Sequence, residues 1–433
     1  MAMRVPVWFS TYDKIGPSRQ LADRKAPKWL QRVNSEGEAN MALSGIRVVD
    51  LTRILAGPFC TMLLADMGAD VVKIESPKGG DPVREQGAII NGFSWYFAQF
   101  NRNKKSVTLD LYSDEGKAVL ADLIRRSDVL VENYRPGVLA QMGFDQARLN
   151  ALNPALIVAS INGYGSTGPQ AERPSFDFVA QAMSGFMSLN GDSKGQPMRT
   201  GVPMADLIAG LYAAFGIVSA LVSRGGSGSG QGQRVESSLM NGMISLLAYL
   251  SAQYFATGEV PLRAGNDHPV VCPYGLFQAA DGDVAIAPSN DLIAHRLFDA
   301  IELIYVLDDP DFATNDARLR NRERMNALVN EKIRQRPVNE WIAYLNEVGV
   351  PCGRVMDLSE VFSDPQVLAQ EMVLDMAHPG AGTVRMTGFP VKLSATPARL
   401  RLPAPALGAD NDAVFRELGY SAERIAALRH GTT

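Results

Sequence analysis

The sequence predicts an α/β protein, with an open, doubly wound (Rossmann-like) sheet in a large domain and a smaller α+β domain after it. Short apolar runs typical of buried strands alternate with helical segments between residues 46 and 161. A strand–helix–strand unit of this length implies a parallel pair of strands with a right-handed crossover. After Pro261 the pattern changes to short strands and turns. A chain of 433 residues is also longer than one hydrophobic core usually supports.

The predicted strands of the large domain are short runs rich in Val, Ile and Leu at residues 46–51, 70–75, 128–132 and 155–161. Helices are predicted at 56–67 and 113–126, and later at 178–189, 206–224 and 236–258. The basic residues 101–105 lie between a helix and a strand, and we expect them on the surface without an assigned role. The glycine-rich residues 225–232 follow a helix rather than a strand, which favours a surface connector over a phosphate-binding loop.

Changes in composition divide the chain into five segments. Residues 1–41 form an N-terminal extension with prolines, scattered charges and no periodicity, which is typical of a tail. Residues 42–235 form the N-terminal part of the large domain, 236–262 a linker helix, 263–350 the small domain, and 351–433 a C-terminal segment that returns to the large domain. The extension lacks the apolar region of a signal peptide, and its acidic residues are untypical of a transit peptide. We therefore expect a cytoplasmic protein.

Composition argues against several classes of function. A formal net charge of -4 disfavours a general nucleic-acid binder. Three widely spaced cysteines and four unpaired histidines give no metal-ligand spacing, so we expect no metal site and free thiols in a reducing compartment. The uncharged stretches 207–223 and 237–258 contain Ala, Gly, Ser, Asn and Gln, which suits buried helices better than membrane spans. We expect neither a nucleic-acid nor a membrane partner.

Asp206 is a lone carboxylate at the start of the uncharged stretch 207–223. An acid in this place either complements the dipole of a helix or acts as a nucleophile in a site from which water is excluded. The residues alone leave both interpretations open.

Several motifs occur in a fixed order from about Leu43 to the C-terminus. They include Leu-Thr-Arg-Ile-Leu-Ala-Gly-Pro at 51–58, Gly-Ala-Asp-Val-Val-Lys-Ile-Glu at 68–75, Asn-Arg-Asn-Lys-Lys-Ser at 101–106 and Asn-Tyr-Arg-Pro-Gly at 133–137. In this order they resemble the class III (CaiB/BaiF-type) coenzyme A transferases, the family of formyl-CoA transferase and carnitine CoA-transferase. The resemblance implies an interlocked homodimer, no tightly bound cofactor, and acyl-CoA and a free carboxylic acid as substrates.

The resemblance also implies roles for individual residues. Asp206 matches the family's nucleophile, which takes an acyl group as an anhydride, then the CoA thiolate as a thioester, and passes CoA to an incoming carboxylate. Arg135 is the implied phosphate partner in the CoA groove of the large domain. Ser76 and Gln141 depart from basic positions of the family. Gly265 and Asn266 are candidates for a loop that covers the substrate. The implied CoA-binding residues are Ile54, Leu55, Ala56, Leu109, Asn133, Tyr134, Arg135 and Phe176.

Two rival functions remain at this stage. An α-methylacyl-CoA racemase of the same fold needs a histidine where Phe176 stands, and phenylalanine exchanges no protons. Asp177 beside it points in a different direction, and we expect it to cap the helix that follows. A protein that binds acyl-CoA without turning it over would have no need of Asp206. General similarity is nearest to the succinyl-CoA:dicarboxylate transferases of the glutarate type, so we expect succinyl-CoA as donor and a short dicarboxylate as acceptor.

Overall fold

The computed structural model describes residues 41–226 and 230–430. Residues 1–40 of the predicted extension, residues 227–229 of the glycine-rich connector and residues 431–433 of the C-terminal segment lie outside them. The elements of the first part are β1 (Arg47–Asp50), α1 (Ala56–Asp66), β2 (Asp70–Glu75), a 3₁₀ turn (Pro82–Glu85), β3 (Ile89–Ile90), β4 (Phe93–Ser94), α2 (Trp95–Asn101), β5 (Lys104–Thr108), α3 (Asp114–Arg125), β6 (Val129–Glu132), α4 (Val138–Gln141), α5 (Gln146–Leu152), β7 (Ile157–Asn162), α6 (Asp177–Met183), α7 (Phe186–Leu189), α8 (Met204–Gly226), β8 (Arg234–Ser238), α9 (Leu239–Ser245) and α10 (Ala248–Thr257).

A six-stranded sheet forms the centre of this part, in the order β5-β2-β1-β6-β7-β8. All of its neighbouring strands pair in parallel. The predicted α/β class with a parallel central sheet is therefore confirmed. Alternating side chains of each strand face opposite layers, as the pleat of a strand requires. Val48 packs into the core on one face of the sheet, and Val49 packs into the core on the other.

Helices cover both faces of the sheet. The core with Val48 also holds apolar side chains of α1, α6, α8 and α9. The core with Val49 holds side chains of α3, α4 and α5 together with those of α17 and α18 near the C-terminus. The end of the chain thus packs against the same sheet as its beginning.

The second part of the chain contains β9 (Gly275–Gln278), β10 (Asp283–Ile286), α11 (Asp291–Ala300), a 3₁₀ turn (Ile304–Asp308), α12 (Asn315–Arg320), α13 (Arg322–Ile333), α14 (Val338–Glu347), β11 (Cys352–Arg354), α15 (Leu358–Val361), α16 (Pro365–Ala369), β12 (Val373–His378), β13 (Gly382–Thr387), α17 (Asn411–Glu417) and α18 (Ala422–His430). The strands β9, β10 and β11 form a small antiparallel sheet that shares a separate core with α11, α13 and α14. The hairpin β12–β13 packs against α2.

Two predicted helices differ from the structure. The helix predicted at 178–189 is split into α6 and α7 at Gly185, whose φ of 83° is the left-handed backbone that glycine adopts readily. The segment predicted as a linker helix from residue 236 lies partly in β8, which pairs with β7 at the edge of the sheet. Its sequence Arg-Val-Glu-Ser-Ser is polar because the alternate side chains of Arg234 and Glu236 are exposed at the edge of the sheet.

Residues 101–105 were expected on the surface, and that prediction is wrong for Asn101, Arg102, Asn103 and Lys104, which are buried. Arg102 donates through a fork of hydrogen bonds, 2.8 to 3.1 Å long, to the Asp66 carboxylate. All three donors of the Lys104 ammonium group are used, on Asp50 Oδ2, the Pro58 carbonyl and Asn101 Oδ1. Both side chains are buried because each has a buried carboxylate as its partner.

The helix α8 is long and apolar enough, by length and composition, to cross a membrane, and in this fold it is partly buried. Its buried face packs against α1 at Gly210, where a Cβ would lie 2.4 Å from the carbonyl oxygen of Ala56. Only glycine permits this approach between the two helices. The contact places the second turn of α8 beside the first turn of α1.

Candidate active site

A cleft of about 490 Å³ lies at the carboxyl ends of β1, β6 and β7. Ligands of open parallel sheets bind at this edge. Its walls are the loops after these strands, residues 171–176 and the start of α8. The predicted residues that line it are Ile54, Leu55, Ala56, Asn133, Tyr134, Arg135, Phe176 and Asp206.

Three predicted residues lie elsewhere. Leu109 lines an adjoining pocket of about 160 Å³, which shares Arg53 and Tyr134 with the cleft. Gly265 and Asn266 line neither of these two pockets. The backbone N–H of Gly265 donates to the carbonyl of Gly191 at 3.2 Å, so within one chain this loop lies beside residues 191–198.

Asp206 is the third residue of α8 and faces the cleft. Its carboxylate is half-buried and has no hydrogen-bond donor among the described residues. Burial, and then the negative charge of Asp177, raise its pKa to about 7. Its place in the first turn of α8 lets it complement the dipole of that helix, which is one of the two interpretations left open by the sequence. The geometry also presents a poorly solvated carboxylate to any molecule in the cleft, as the other interpretation requires.

Asp177 does not cap its own helix, contrary to the prediction. Its N-cap position is Phe176, and its carboxylate accepts from the backbone N–H of Ala205 at 2.8 Å and from the Gln181 amide at 2.8 Å. Gln181 in turn accepts from the backbone N–H of Thr200 at 2.9 Å. Asp177 therefore holds the first turn of α8, and it keeps a negative charge near Asp206.

The loop after β1 forms one wall of the cleft under backbone strain. Ile54 has a φ of 70°, which is unfavourable for a β-branched residue. The Asn133 amide donates to the Arg53 carbonyl at 2.8 Å and accepts from the Arg53 N–H at 3.0 Å. The buried Asp81 carboxylate also holds this loop, because it accepts from the Ile54 N–H at 3.1 Å and from Lys73 Nζ at 2.8 Å. These contacts fix a conformation that the loop would not keep alone.

Three arginines line the cleft, Arg53, Arg135 and Arg173, whereas Asp206 is the one acidic residue among the described residues of its lining. The guanidinium groups suit phosphate and carboxylate ligands, because each offers a planar fork of donors. Of the three arginines, only Arg135 was predicted from the sequence to bind a ligand. The buried pair of Lys73 with Asp81 was not predicted either, although a lysine between Val72 and Ile74 in a strand is the signal of a buried, paired charge.

Residues 43–411 match the model of CoA-transferase family III. The chain belongs to this family. It is 37% identical to the succinate–glutarate CoA-transferase of Agrobacterium fabrum, over 87% of this chain and 95% of that protein. It is also 37% identical to the acetyl-CoA:oxalate CoA-transferase of Acetobacter aceti, over 81% and 88% of the two chains. A crystal structure of a CAIB/BAIF family protein from Brucella suis has a TM-score of 0.78 and 38% identity, covering 88% of this chain and 100% of that one.

The resemblance drawn from the ordered motifs is thereby confirmed. The protein is an enzyme, a class III CoA-transferase, and CoA thioesters are the substrates of its family. The cleft at the carboxyl edge of the sheet is the place where the arginines, the strained loop and a carboxylate of raised pKa come together.

Proposed function

We propose that the enzyme transfers CoA from succinyl-CoA to a short dicarboxylic acid, with Asp206 as the nucleophile. One observation carries the proposal: the Asp206 carboxylate faces the cleft without a hydrogen-bonding partner among the described residues, and its pKa is raised to about 7. A carboxylate that is weakly solvated attacks a thioester more readily than one held by donors. At pH 8 most of the Asp206 carboxyl groups are ionised and able to attack.

The proposed sequence has four steps. Asp206 attacks the thioester carbonyl of succinyl-CoA, forms a mixed anhydride, and releases the CoA thiolate. The thiolate attacks the aspartyl carbonyl of this anhydride, which releases succinate and leaves an aspartyl-CoA thioester. The acceptor carboxylate attacks that thioester, forms a second anhydride, and frees the thiolate again. The thiolate then attacks the acceptor's carbonyl, which yields the new acyl-CoA and restores Asp206.

The cations of the cleft support a substrate with several negative charges. Arg135 is the proposed partner of the CoA phosphates, beside the apolar residues 54–56 and Phe176. Arg53 and Arg173 remain as partners for the second carboxylate of a dicarboxylic acid. Relatives named for glutarate and for oxalate transfer agree with such an acceptor. A monocarboxylic acid would leave both of these guanidinium groups without that carboxylate.

Self-association into an interlocked homodimer is part of the proposal. An exposed apolar stripe supports it, because Leu211, Phe215, Val218 and Val222 recur at helical spacing along one face of α8. Phe255 near the end of α10 is 82% exposed. Surfaces of this kind usually mark a protein contact. The loop at Gly265 and Asn266 would then cover the substrate of a neighbouring subunit.

We further propose that the enzyme works in the cytoplasm without nucleic-acid or membrane partners. The three cysteines are free thiols, which agrees with a reducing compartment. The net charge of -4 and the partly buried apolar helix α8 agree with the other two proposals.

Trapping of the aspartyl intermediate tests the proposed chemistry. The enzyme is incubated with succinyl-CoA and no acceptor, then treated with hydroxylamine, and the peptide that contains Asp206 is weighed by mass spectrometry. We expect a hydroxamate at Asp206 in the wild type and none in the Asp206→Ala variant. A racemase would instead exchange the proton beside the thioester carbonyl with deuterated solvent. Deuterium uptake without a hydroxamate would overturn the proposal.

A screen of acceptors tests the substrate. We expect CoA transfer from succinyl-CoA to glutarate, malate, itaconate or oxalate to exceed transfer to matched monocarboxylic acids. Arg173→Ala should lower the preference for dicarboxylates, whereas Lys392→Ala, an exposed cation outside the cleft, should leave it unchanged. Equal rates for both classes of acid would contradict the proposed acceptor.

A further inference from the structure

A second cleft, of about 800 Å³, lies at the opposite edge of the sheet. Arg47 begins β1, Asp70 begins β2 and Lys105 lies at the start of β5, so this cleft is at the amino ends of the strands. The sheet separates it from the Asp206 cleft by roughly 15 Å, given the length of the strands. Catalysis as described above does not use it.

This basic cleft is defined by six cations in its lining, Arg47, Lys105, Arg125, Arg126, Arg399 and Arg401. Two carboxylates, Asp70 and Glu417, also line it, so the formal charge of the lining is +4. The whole chain has a net charge of -4. A concentration of positive charge in a concave site of an acidic protein focuses its electrostatic potential there.

The two carboxylates are already paired. Asp70 accepts from Arg47 at 2.8 Å and from Lys105 at 2.9 Å. Glu417 contacts the same two cations at 2.6 and 3.5 Å. Together these two cations and two carboxylates have no net charge. The excess formal charge of the lining therefore belongs to the four other arginines.

Neutral groups orient two of those arginines. Arg126 donates to the carbonyls of Glu417 and Leu418 at the end of α17, at 2.7 and 2.9 Å. Arg401 donates to the carbonyls of Ala65 and Ala69 around the end of α1, at 2.9 and 3.1 Å. Backbone carbonyls fix the position of a guanidinium group but do not cancel its formal charge.

The remaining two arginines lie at the rim and are exposed. Arg125 pairs with Asp122 one turn earlier in α3, an acid outside the lining that offsets one of the four positive charges locally. Within residues 41–226 and 230–430, the Arg399 guanidinium has no hydrogen-bonding acceptor. The N-terminal forty residues, which lead to the cleft at Met41, contain seven Lys or Arg and four Asp or Glu. That segment is itself basic, so its charge does not complement the cleft.

We propose that the basic cleft binds a small anion with a diphosphate group, as a second site distinct from the catalytic cleft. Planar guanidinium forks match phosphate oxygens, and several of them at fixed positions suit two linked phosphates. The volume is in the range of pockets that hold nucleotide-sized ligands. A nucleoside diphosphate and the adenosine diphosphate end of CoA share this chemistry.

Calorimetric titration with pyrophosphate tests the shared chemistry. The double variant Arg125→Glu/Arg399→Glu brings the formal charge of the lining from +4 to zero and spares both backbone-bonded arginines. We expect it to weaken pyrophosphate binding by about tenfold or more. The control Arg320→Glu/Lys392→Glu makes the same change of charge at exposed positions outside both clefts and should bind as the wild type does.

Titrations with ADP and CoA distinguish the two sources of the diphosphate. If CoA is the ligand, each chain binds two equivalents of it, and only the second is lost in the Arg125→Glu/Arg399→Glu variant. If a nucleotide is the ligand, ADP binding falls in that variant and persists in Arg135→Ala, whose substitution lies in the catalytic cleft. Transfer activity of the rim variant without added ligand should be unchanged, so this test is independent of the proposed reaction.

Two results would overturn the proposal. The first is pyrophosphate binding that is equal in the wild type, the rim variant and the control. The second is a change of oligomeric mass in the rim variant, measured by light scattering, with no change in anion binding. That outcome would make the basic cleft a contact between subunits.

Discussion

Replacement of Asp206 by Asn should abolish CoA transfer and at the same time stabilise the folded protein at alkaline pH. The pKa of Asp206 is raised from its ordinary 3.8 to about 7 because folding buries the carboxylate and places Asp177 near it. Such a group destabilises the folded state when it is ionised, and the cost grows as pH rises from about 4 to about 7. Above pH 7 the full cost is present.

The expected size follows from the two pKa values. A rise from 3.8 to about 7 corresponds to about 4 kcal/mol. Asp206 keeps partial contact with solvent, so screening reduces the expected gain of the Asn variant to about 1–2 kcal/mol at pH 8. At pH 5 the wild-type carboxyl is protonated in the folded state, and the gain should be smaller.

Urea denaturation of both proteins at pH 5 and pH 8 measures this difference. Asp316→Asn is the matched control, because Asp316 is also a first-turn acid but is exposed. We expect it to change the free energy of unfolding by less than about 0.5 kcal/mol at either pH. A gain for Asp206→Asn that is the same at both pH values, or a loss at pH 8, would refute the reasoning from burial.

Three further predictions concern groups around the cleft and the core. The kcat/KM of the wild type should fall about tenfold per pH unit below pH 7, because Asp206 becomes protonated there. Asp177→Asn should move this acidic limb of the pH profile to lower pH, because it removes a negative charge near the nucleophile. An acidic limb at the same pH in both proteins would contradict the effect of Asp177 on Asp206. Asn133→Ala removes two hydrogen bonds to the loop after β1. Steady-state kinetics should therefore show a KM for acyl-CoA about tenfold higher, with kcat within about twofold of the wild type. A loss confined to kcat would contradict the role of Asn133 in positioning this loop. Lys104→Met leaves the buried Asp50 without one of its cations and should lower the free energy of unfolding by about 3–5 kcal/mol. The control Lys105→Met, at a half-exposed residue beside it, should lower this free energy by less than about 1 kcal/mol. Equal losses for the two variants in urea denaturation would contradict the buried pair of Lys104 and Asp50.

The sequence predicts β1, β2, β6 and β7 because each holds a short run rich in Val, Ile or Leu that is buried on both faces of the sheet, a pattern that needs no knowledge of distant residues. The prediction from sequence is wrong at the start of β5, where Lys104 and Lys105 are charged. Their burial depends on Asp50 and Asp70, which are far away in the chain and adjacent in space. The prediction also fails at the polar edge strand β8, because polarity there reflects position in the sheet rather than a different element.

In the cleft too, some residues can be predicted from motifs in the sequence and others cannot. Asp206 and the residues of the loops at 54–56 and 133–135 belong to motifs that can be read along the chain, and they line one cleft. Arg53 lies beside Ile54 in the first of these motifs but had no predicted role, and Arg173 belongs to no motif, so the place of both in the cleft follows from the structure alone. The position of Asp177 was visible, but its partner Ala205 was not, because the hydrogen bond joins two segments that are separate in sequence.

The contact at Gly210 has a consequence for redesign of the enzyme. Since no side chain fits between that residue and the Ala56 carbonyl, the helices that carry Asp206 and the loop at Ile54 are locked together as one rigid wall. The opposite wall, residues 171–176, is mostly exposed and tolerates replacement far better. Libraries that seek new acceptor acids should therefore vary that segment and leave the locked helices untouched.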